Sequence, residues 1–100
     1  MPYVRISLMH PRPTEEARVH ELMDRLVAYY AEQPGYISGY RLEPTDPEGY
    51  LGRIGVWATE QDAEHAAQTE FDLALRSQLN AAVDEHREYS FTGYEPQKPS

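Results

Sequence analysis

Apolar residues recur at every second position in some segments of the chain and at every third or fourth position in others. A period of two predicts a strand, and a period near 3.6 predicts an amphipathic helix. From Tyr3 to His10 the residues alternate, with Val4, Ile6 and Leu8 on one face. We therefore expect a first strand with one well-buried face, and we expect Pro11 to help end it because proline cannot donate a hydrogen bond to a neighbouring strand.

A helix is predicted next. Thr14 is a candidate N-cap, and acidic residues follow it in the first turn, where negative charge is favourable. The sequence Pro34-Gly35 requires the helix to end near Gln33. The apolar stripe between these points has helical spacing and consists of Val19, Leu22, Met23, Leu26 and Tyr30.

The middle of the chain predicts a hairpin. Segments 36–43 and 50–58 read as strands, and the turn-rich segment 44–49 between them is short enough to make them neighbours. Thr59 and Thr69 then each begin a capping-box pattern, which predicts a short helix, a bend near Gln68 and a longer helix. The apolar residues of the longer helix are spaced by four: Phe71, Leu75, Leu79 and Val83.

Segment 86–94 alternates again and predicts a fourth strand with Tyr89 and Phe91 on one face. The tail 95–100 contains two prolines and is expected to be loose or docked on a partner. The whole chain, 1–100, is expected to be one domain with its core in 3–94.

The order of elements predicts an α+β fold of the ferredoxin-like β-α-β-β-α-β type. Right-handed crossovers place both helices on one face of a four-stranded antiparallel sheet. The opposite face would then expose tyrosine, leucine, tryptophan and methionine side chains, which is too apolar a surface to leave in water. We expect a second copy to cover it, so that a homodimer forms through the open sheet face as a dimeric α+β barrel.

Composition excludes several classes of function. The net charge of −8 disfavours nucleic acid and anionic lipid as partners. The absence of cysteine excludes disulfides and thiolate chemistry. No HExxH pattern or pair of histidines four residues apart is present, so no metal site is expected. Without a signal sequence or a membrane span, we expect a cytoplasmic protein.

Several motifs resemble the antibiotic biosynthesis monooxygenase domain family of the dimeric α+β barrel superfamily. The tract 29–36, Tyr-Tyr-Ala-Glu-Gln-Pro-Gly-Tyr, is similar to the family's helix end and is continued by Ser-Gly-Tyr at 38–40. The tract 55–63 contains Trp57 followed by a Thr-Glu pair, like the family's W-x-S/T-x-E-x-A pattern. The likeness covers about residues 3 to 94.

The resemblance implies oxidation of an electron-rich aromatic without flavin, metal or other cofactor. In such a reaction the substrate's own carbanion reduces dioxygen, so the protein need only supply a base, oxyanion donors and a dry aromatic chamber. In haem-degrading members an axial histidine lies near the position of Glu70, and this chain has none there. We therefore expect no haem binding.

The candidate catalytic residues are Trp57, carried over from the family's strand-end tryptophan, and His65 and His10, either of which is a candidate base. A core anchor is the structural alternative for Trp57, and a solvated position is the alternative for His65. We expect solvated positions for His20 and His86.

Four further residues are candidates for binding substrate. Arg53 lies on the face of Trp57 and can hold an enolate or phenolate, although an ion pair with an acidic neighbour is the simpler role. Tyr30 and Tyr40 are candidate pocket walls, or else packing at a dimer interface. Phe71 matches a recurrent phenylalanine of the family.

Two functions remain open from the sequence. The first is a cofactor-independent monooxygenase-like protein that acts on a small aromatic or quinol-type molecule. The alternative is a non-catalytic dimeric barrel, a stress-response or accessory protein that binds a small apolar ligand. Fold alone does not decide between them.

Overall fold

The computed structural model describes residues 1–47 and 49–97. Glu48 of the predicted turn and residues 98–100 of the predicted tail lie outside the described residues. Seven elements follow in the expected order: β1 (Tyr3–Pro11), α1 (Glu16–Tyr30), β2 (Tyr36–Leu42), β3 (Leu51–Trp57), α2 (Glu60–Ala67), α3 (Glu70–Ala82) and β4 (Val83–Thr92).

The four strands form one antiparallel sheet in the order β2-β3-β1-β4. This is the ferredoxin-like fold predicted from the element order. The break between α2 and α3 at Gln68 is also confirmed, and both threonine caps form. Thr59 Oγ1 accepts a hydrogen bond from Asp62 N at 3.1 Å, and Thr69 Oγ1 accepts one from Asp72 N at 3.2 Å.

The predicted N-cap of α1 is wrong. Thr14 has φ of 69°, and α1 begins after Glu15, which makes no side-chain capping bond. Glu15 N donates to Arg12 O at 3.0 Å, so residues 12–15 form a turn with Pro13 at its second position and Thr14 at its third. Proline at the second position favours a type II turn, which requires positive φ at the third. Thr14 is therefore held in the turn instead of capping the helix.

The core lies between the sheet and the helices. Leu22, Met23 and Leu26 of α1 and Leu79 of α3 are almost completely buried there, against Met9 of β1. Because these side chains come from both layers, the helices are held on one face of the sheet. No helix within residues 1–47 and 49–97 combines the length and apolarity needed to cross a bilayer.

The buried face of β1 is not the one that the alternation suggested. Tyr3, Ser7 and Met9 are buried beneath the helices, whereas Val4, Ile6 and Leu8 are only half-buried on the opposite face. Alternation identifies two faces but does not say which one the crossovers will cover. The open face also lacks the predicted tryptophan and methionine, since Trp57 and Met9 are both buried in the core.

The open face is nevertheless apolar. Val4 pairs with Val56 and Phe91, and Ile6 pairs with Ile54 and Tyr89. Tyr89 and Phe91 therefore lie on one face, as their alternation predicts, and they are 43% and 51% exposed. β4 begins at Val83, directly after α3, and ends at Thr92, earlier than the predicted Tyr94.

Candidate active site

A cavity of about 20 Å³ lies between the helix-facing side of the sheet and helices α1 and α2. Its volume is about that of a single water molecule. The residues that give it chemical character are Arg5, Tyr30, Tyr36, Arg53, Gly55 and Trp57.

Two glycines on neighbouring strands leave room for the aromatic side chains beside the cavity. Gly39 of β2 pairs directly with Gly55 of β3. A Cβ on Gly55 would lie 3.0 Å from Trp57 Nε1. A Cβ on Gly39 would overlap the hydroxyl of Tyr36 and lie 2.7 Å from the carbonyl oxygen of Ile54. A larger residue at either position would enter the space used by the aromatic side chains.

Trp57 forms one wall and is 3% exposed. Its ring meets Tyr30 edge-on, with centroids 5.6 Å apart, and meets Tyr36 in the same manner at 5.5 Å. Edge-to-face geometry at this distance is favourable for aromatic pairs. Trp57 therefore packs in the core and also lines the cavity, so the two roles weighed for it from the sequence are compatible.

Arg53 projects into the same space and is 7% exposed. Its guanidinium lies 5.3 Å from the centroid of Tyr30. Glu88 is the acidic neighbour expected as an alternative partner for Arg53, but its Oε1 lies as far as 4.0 Å from Arg53 Nη2. Arg53 Nε is buried and has no hydrogen-bond partner among the described residues. A buried charged donor left unpaired in this way is costly, and it can bind an acceptor brought by a ligand.

A buried tyrosine–aspartate pair borders the cavity and was missed from the sequence. The hydroxyl of Tyr30 donates to Asp72 Oδ1, and Asp72 is fully buried. Arg76 Nη1 lies 3.5 Å from Asp72 Oδ2. Burial raises the pKa of Asp72, although Tyr30 and the nearby arginines oppose this shift. Burial is also the main cause that raises the pKa of Tyr30.

The signal for Asp72 was present in the spacing of α3. The buried positions of this helix are Asp72, Leu75, Leu79 and Ala82, a three-and-four pattern that passes through Asp72 and not through Phe71. The spacing of four chosen from the sequence placed Phe71 in the stripe, whereas it is 48% exposed. A charged residue in register with a buried stripe is the feature that identifies such a site.

A second polar group lies on the helix side of β4. Ser7 Oγ donates to Glu88 Oε1 at 3.2 Å, and His86 Nε2 lies 3.6 Å from the same oxygen. His86 Nε2 is buried, so the solvated position predicted for this histidine is wrong. This burial lowers the pKa of the ring. His86 belongs to β4 and is half-buried.

The other candidate residues do not meet at the cavity. His10 is exposed at the end of β1, where its Nδ1 lies 2.9 Å from Asp84 Oδ1. His65 is exposed on α2. Tyr40 pairs with Ile54 on the open sheet face and is 68% exposed. Phe71 packs on Tyr29, with centroids 4.7 Å apart, at the outer surface of the helices. Of the predicted residues, the structure brings together Trp57, Arg53 and Tyr30.

The described residues provide no set of ligands for a metal ion. Within residues 1–47 and 49–97, no three or more histidine, aspartate or glutamate side chains are grouped so that they could hold an ion.

The fold and the cavity define an α+β ferredoxin-like domain with an aromatic, arginine-containing site beneath its helices. No protein-family model matches the sequence. No curated protein matches it either.

Solved structures do share its fold. The N63A mutant of SnoaB, described as a cofactor-independent oxygenase from Streptomyces nogalater, has a TM-score of 0.84 at 19% identity, over 95% of this chain and 95% of that chain. Rv0793 from Mycobacterium tuberculosis has a TM-score of 0.87 at 16% identity, over 98% and 100%. A protein described as an antibiotic biosynthesis monooxygenase has a TM-score of 0.82 at 18% identity, over 95% and 100%.

The resemblance drawn from the sequence motifs is thus confirmed as a likeness of fold across nearly the whole chain. Structures named as antibiotic biosynthesis monooxygenases recur among these neighbours. At such low identities the likeness establishes the fold, and the activity has to be argued from the site.

Proposed function

We propose that this protein is a cofactor-independent monooxygenase-like enzyme that acts on a small aromatic or quinol-type substrate. The observation that carries the proposal is the buried Arg53, whose Nε finds no hydrogen-bond partner in the described part of the chain and lies beside a wall formed by Trp57 and Tyr30. A delocalised oxyanion on an aromatic ring matches both features, because a guanidinium binds the charge and the aromatic side chains contact the ring.

In the proposed reaction, the protein only has to stabilise the anion of the substrate. Arg53 lowers the pKa of a bound phenol or enol, so that its anion forms near neutral pH without a histidine in the cavity. The anion's ring carbon then transfers electrons to dioxygen. For an activated CH₂ group the balanced reaction consumes one O₂, converts CH₂ to C=O and releases one water. The buried environment strengthens the interaction of the anion with Arg53.

The size of the cavity limits how a substrate enters. Ligand pockets commonly enclose several hundred Å³, and this cavity has about 20 Å³. A ring can bind only if a wall moves, and Tyr36 is the half-buried aromatic wall. Tyr36 adjoins a β-bulge between Tyr36 and Ser38, where the pairing of β2 with β3 is interrupted. We propose that Tyr36 swings outward to admit the substrate.

We also propose that a second copy covers the open sheet face. Support comes from the row of Val4, Ile6 and Leu8, which faces away from the helices. Val4 and Ile6 of this row pair with apolar residues on both neighbouring strands. A contiguous apolar surface of this kind is unfavourable in water and is typical of an interface. The partner in this proposal is an identical chain.

Oxygen consumption tests the proposed activity. The probe is 1,8-dihydroxyanthrone, whose CH₂ group reacts as above, and the measured quantity is the O₂ uptake above that of the uncatalysed reaction. Because removing one oxyanion donor commonly lowers the rate by about a hundredfold or more, Arg53→Gln is expected to reduce uptake to near background.

Arg41→Gln is the matched control. Arg41 pairs with Arg53 across β2 and β3, and its charge is already bound by Asp24 at 2.7 Å. This variant removes the same charge outside the cavity and is expected to keep the activity. If wild type binds the anthrone with no oxygen uptake above background, the oxygenase proposal fails and the alternative of a ligand-binding barrel is favoured.

A further inference from the structure

The cavity holds two arginines and too little negative charge to balance them. Arg5 of β1 pairs with Gly55, and Arg53 of β3 pairs with Ser7, so the two arginines are diagonal neighbours on the helix-facing side. Such neighbours lie about 7–8 Å apart on a sheet. Gly55 lies directly opposite Arg5 and two residues from Arg53 on β3, and the indole of Trp57 lies over it.

Neither arginine has a close carboxylate partner. Arg5 Nη2 donates to the hydroxyl of Tyr3 at 3.0 Å and makes no ion pair within the described part of the chain. Arg53 has Glu88 at 4.0 Å and also acts on the buried Asp72, which Arg76 contacts at 3.5 Å, while its Nε has no hydrogen-bond partner among the described residues. By contrast, Arg41 lies 2.7 Å from Asp24 and Arg87 lies 2.6 Å from Glu85.

This lack of close partners does not reflect a shortage of carboxylates. The chain has 17 acidic residues and 9 lysines and arginines, so carboxylates are available for ion pairs. Two neighbouring guanidinium groups repel each other in a medium of low dielectric unless an anion lies between them. An arginine pair that lacks such an anion in the protein is suited to receive one from a ligand.

We propose that Arg5 and Arg53 form a carboxylate-binding subsite and that the ligand of the cavity is an aromatic acid. This inference rests on the proposed function for the aromatic ring and its oxyanion. It adds a carboxylate beside that oxyanion, so that Arg53 contacts both groups and Arg5 contacts the carboxylate. Guanidinium groups bind carboxylates through paired, charge-assisted hydrogen bonds. The existing space of about 20 Å³ suits the carboxylate end, while the ring takes the place vacated by Tyr36.

The test is isothermal titration calorimetry with benzoate and benzamide, two probes of nearly the same shape that differ in charge. Wild type is expected to bind benzoate at least tenfold more tightly than benzamide. Arg53→Gln is expected to abolish this difference, and Arg5→Gln to reduce it severalfold. Arg53→Lys keeps the charge and is expected to retain part of the preference. Circular dichroism establishes that each variant is folded.

Arg41→Gln is again the control, since it also removes one positive charge but changes no residue that lines the cavity. Equal affinity for the two probes, binding of neither, or an equal loss of preference in Arg41→Gln would each overturn the proposal. The readout is binding and not turnover. Oxygen uptake with the anthrone and no benzoate preference would therefore reject the carboxylate subsite alone, and the reverse pattern would reject the oxygenase alone.

Discussion

Gly55→Ala probes how closely the sheet approaches Trp57. The new methyl group would lie 3.0 Å from Trp57 Nε1, with Cδ1 at 3.7 Å and Cε2 at 4.0 Å. Optimal contacts between such atoms are about 3.5–4.0 Å, so the indole must move by several tenths of an ångström. Trp57 has little freedom to do so, because Tyr30 and Tyr36 pack edge-on against it.

The magnitude follows from two opposed effects. Overpacking a core costs about 1–3 kcal/mol, whereas replacing glycine by alanine stabilises by about 0.4–1 kcal/mol through the unfolded chain. The clash is the larger effect, so Gly55→Ala is expected to lower the free energy of unfolding by about 1–2 kcal/mol. In a domain of this size that corresponds to a fall in Tm of roughly 4–15 °C.

Trp57→Phe is expected to remove the destabilisation that Gly55→Ala causes. The smaller ring removes about three non-hydrogen atoms, each worth about 0.8 kcal/mol when buried, so the single variant should lose about 2 kcal/mol. It also removes the atom that the new methyl group would strike. In the Trp57→Phe background, Gly55→Ala is therefore expected to be neutral or slightly stabilising.

Urea unfolding of wild type, both single variants and the double variant, followed by circular dichroism at one protein concentration, measures the coupling. We expect a coupling free energy of about 1–3 kcal/mol. If the two changes add within about 0.5 kcal/mol, the contact between Gly55 and Trp57 does not shape this wall of the cavity, and the reasoning is refuted.

Three further predictions concern other parts of the molecule. Burial raises the pKa of Asp72 above its ordinary 3.8. The contribution of Asp72 to the free energy of unfolding is thus favourable in acid, where its carboxyl group is protonated. It is lost as pH rises through the raised pKa. Urea unfolding should show Asp72→Asn gaining stability relative to wild type as the pH rises above about 4, and a pH-independent difference would contradict this. Thr14→Gly should raise the Tm by a few degrees, because threonine at φ of 69° costs about 1–2 kcal/mol; a lower Tm would mean that the Thr14 side chain stabilises the turn. Light scattering should find wild type at twice 11.5 kDa and Ile6→Glu at 11.5 kDa, whereas a monomeric wild type at micromolar concentration would exclude the proposed dimer.

The sequence by itself determined the order of elements and the class of fold. Periodicity, capping threonines and the Pro34-Gly35 stop are local signals that act within a few residues, so they can be read without knowing the tertiary structure. Helix α1, the hairpin and the two-part helical region all followed from them. The same local reasoning placed Arg53 and Trp57 on one sheet face, since they are four residues apart in a strand.

Only the tertiary structure decided which groups meet and which face is covered. Val4, Ile6 and Leu8 have the pattern of a buried row, but the handed crossovers bring the helices onto the opposite face. The Tyr30–Asp72 contact joins residues 42 positions apart, and the neighbouring positions of Arg5 and Arg53 depend on the pairing of β1 with β3. Contacts between distant segments are fixed by packing, and no local pattern in a single sequence records them.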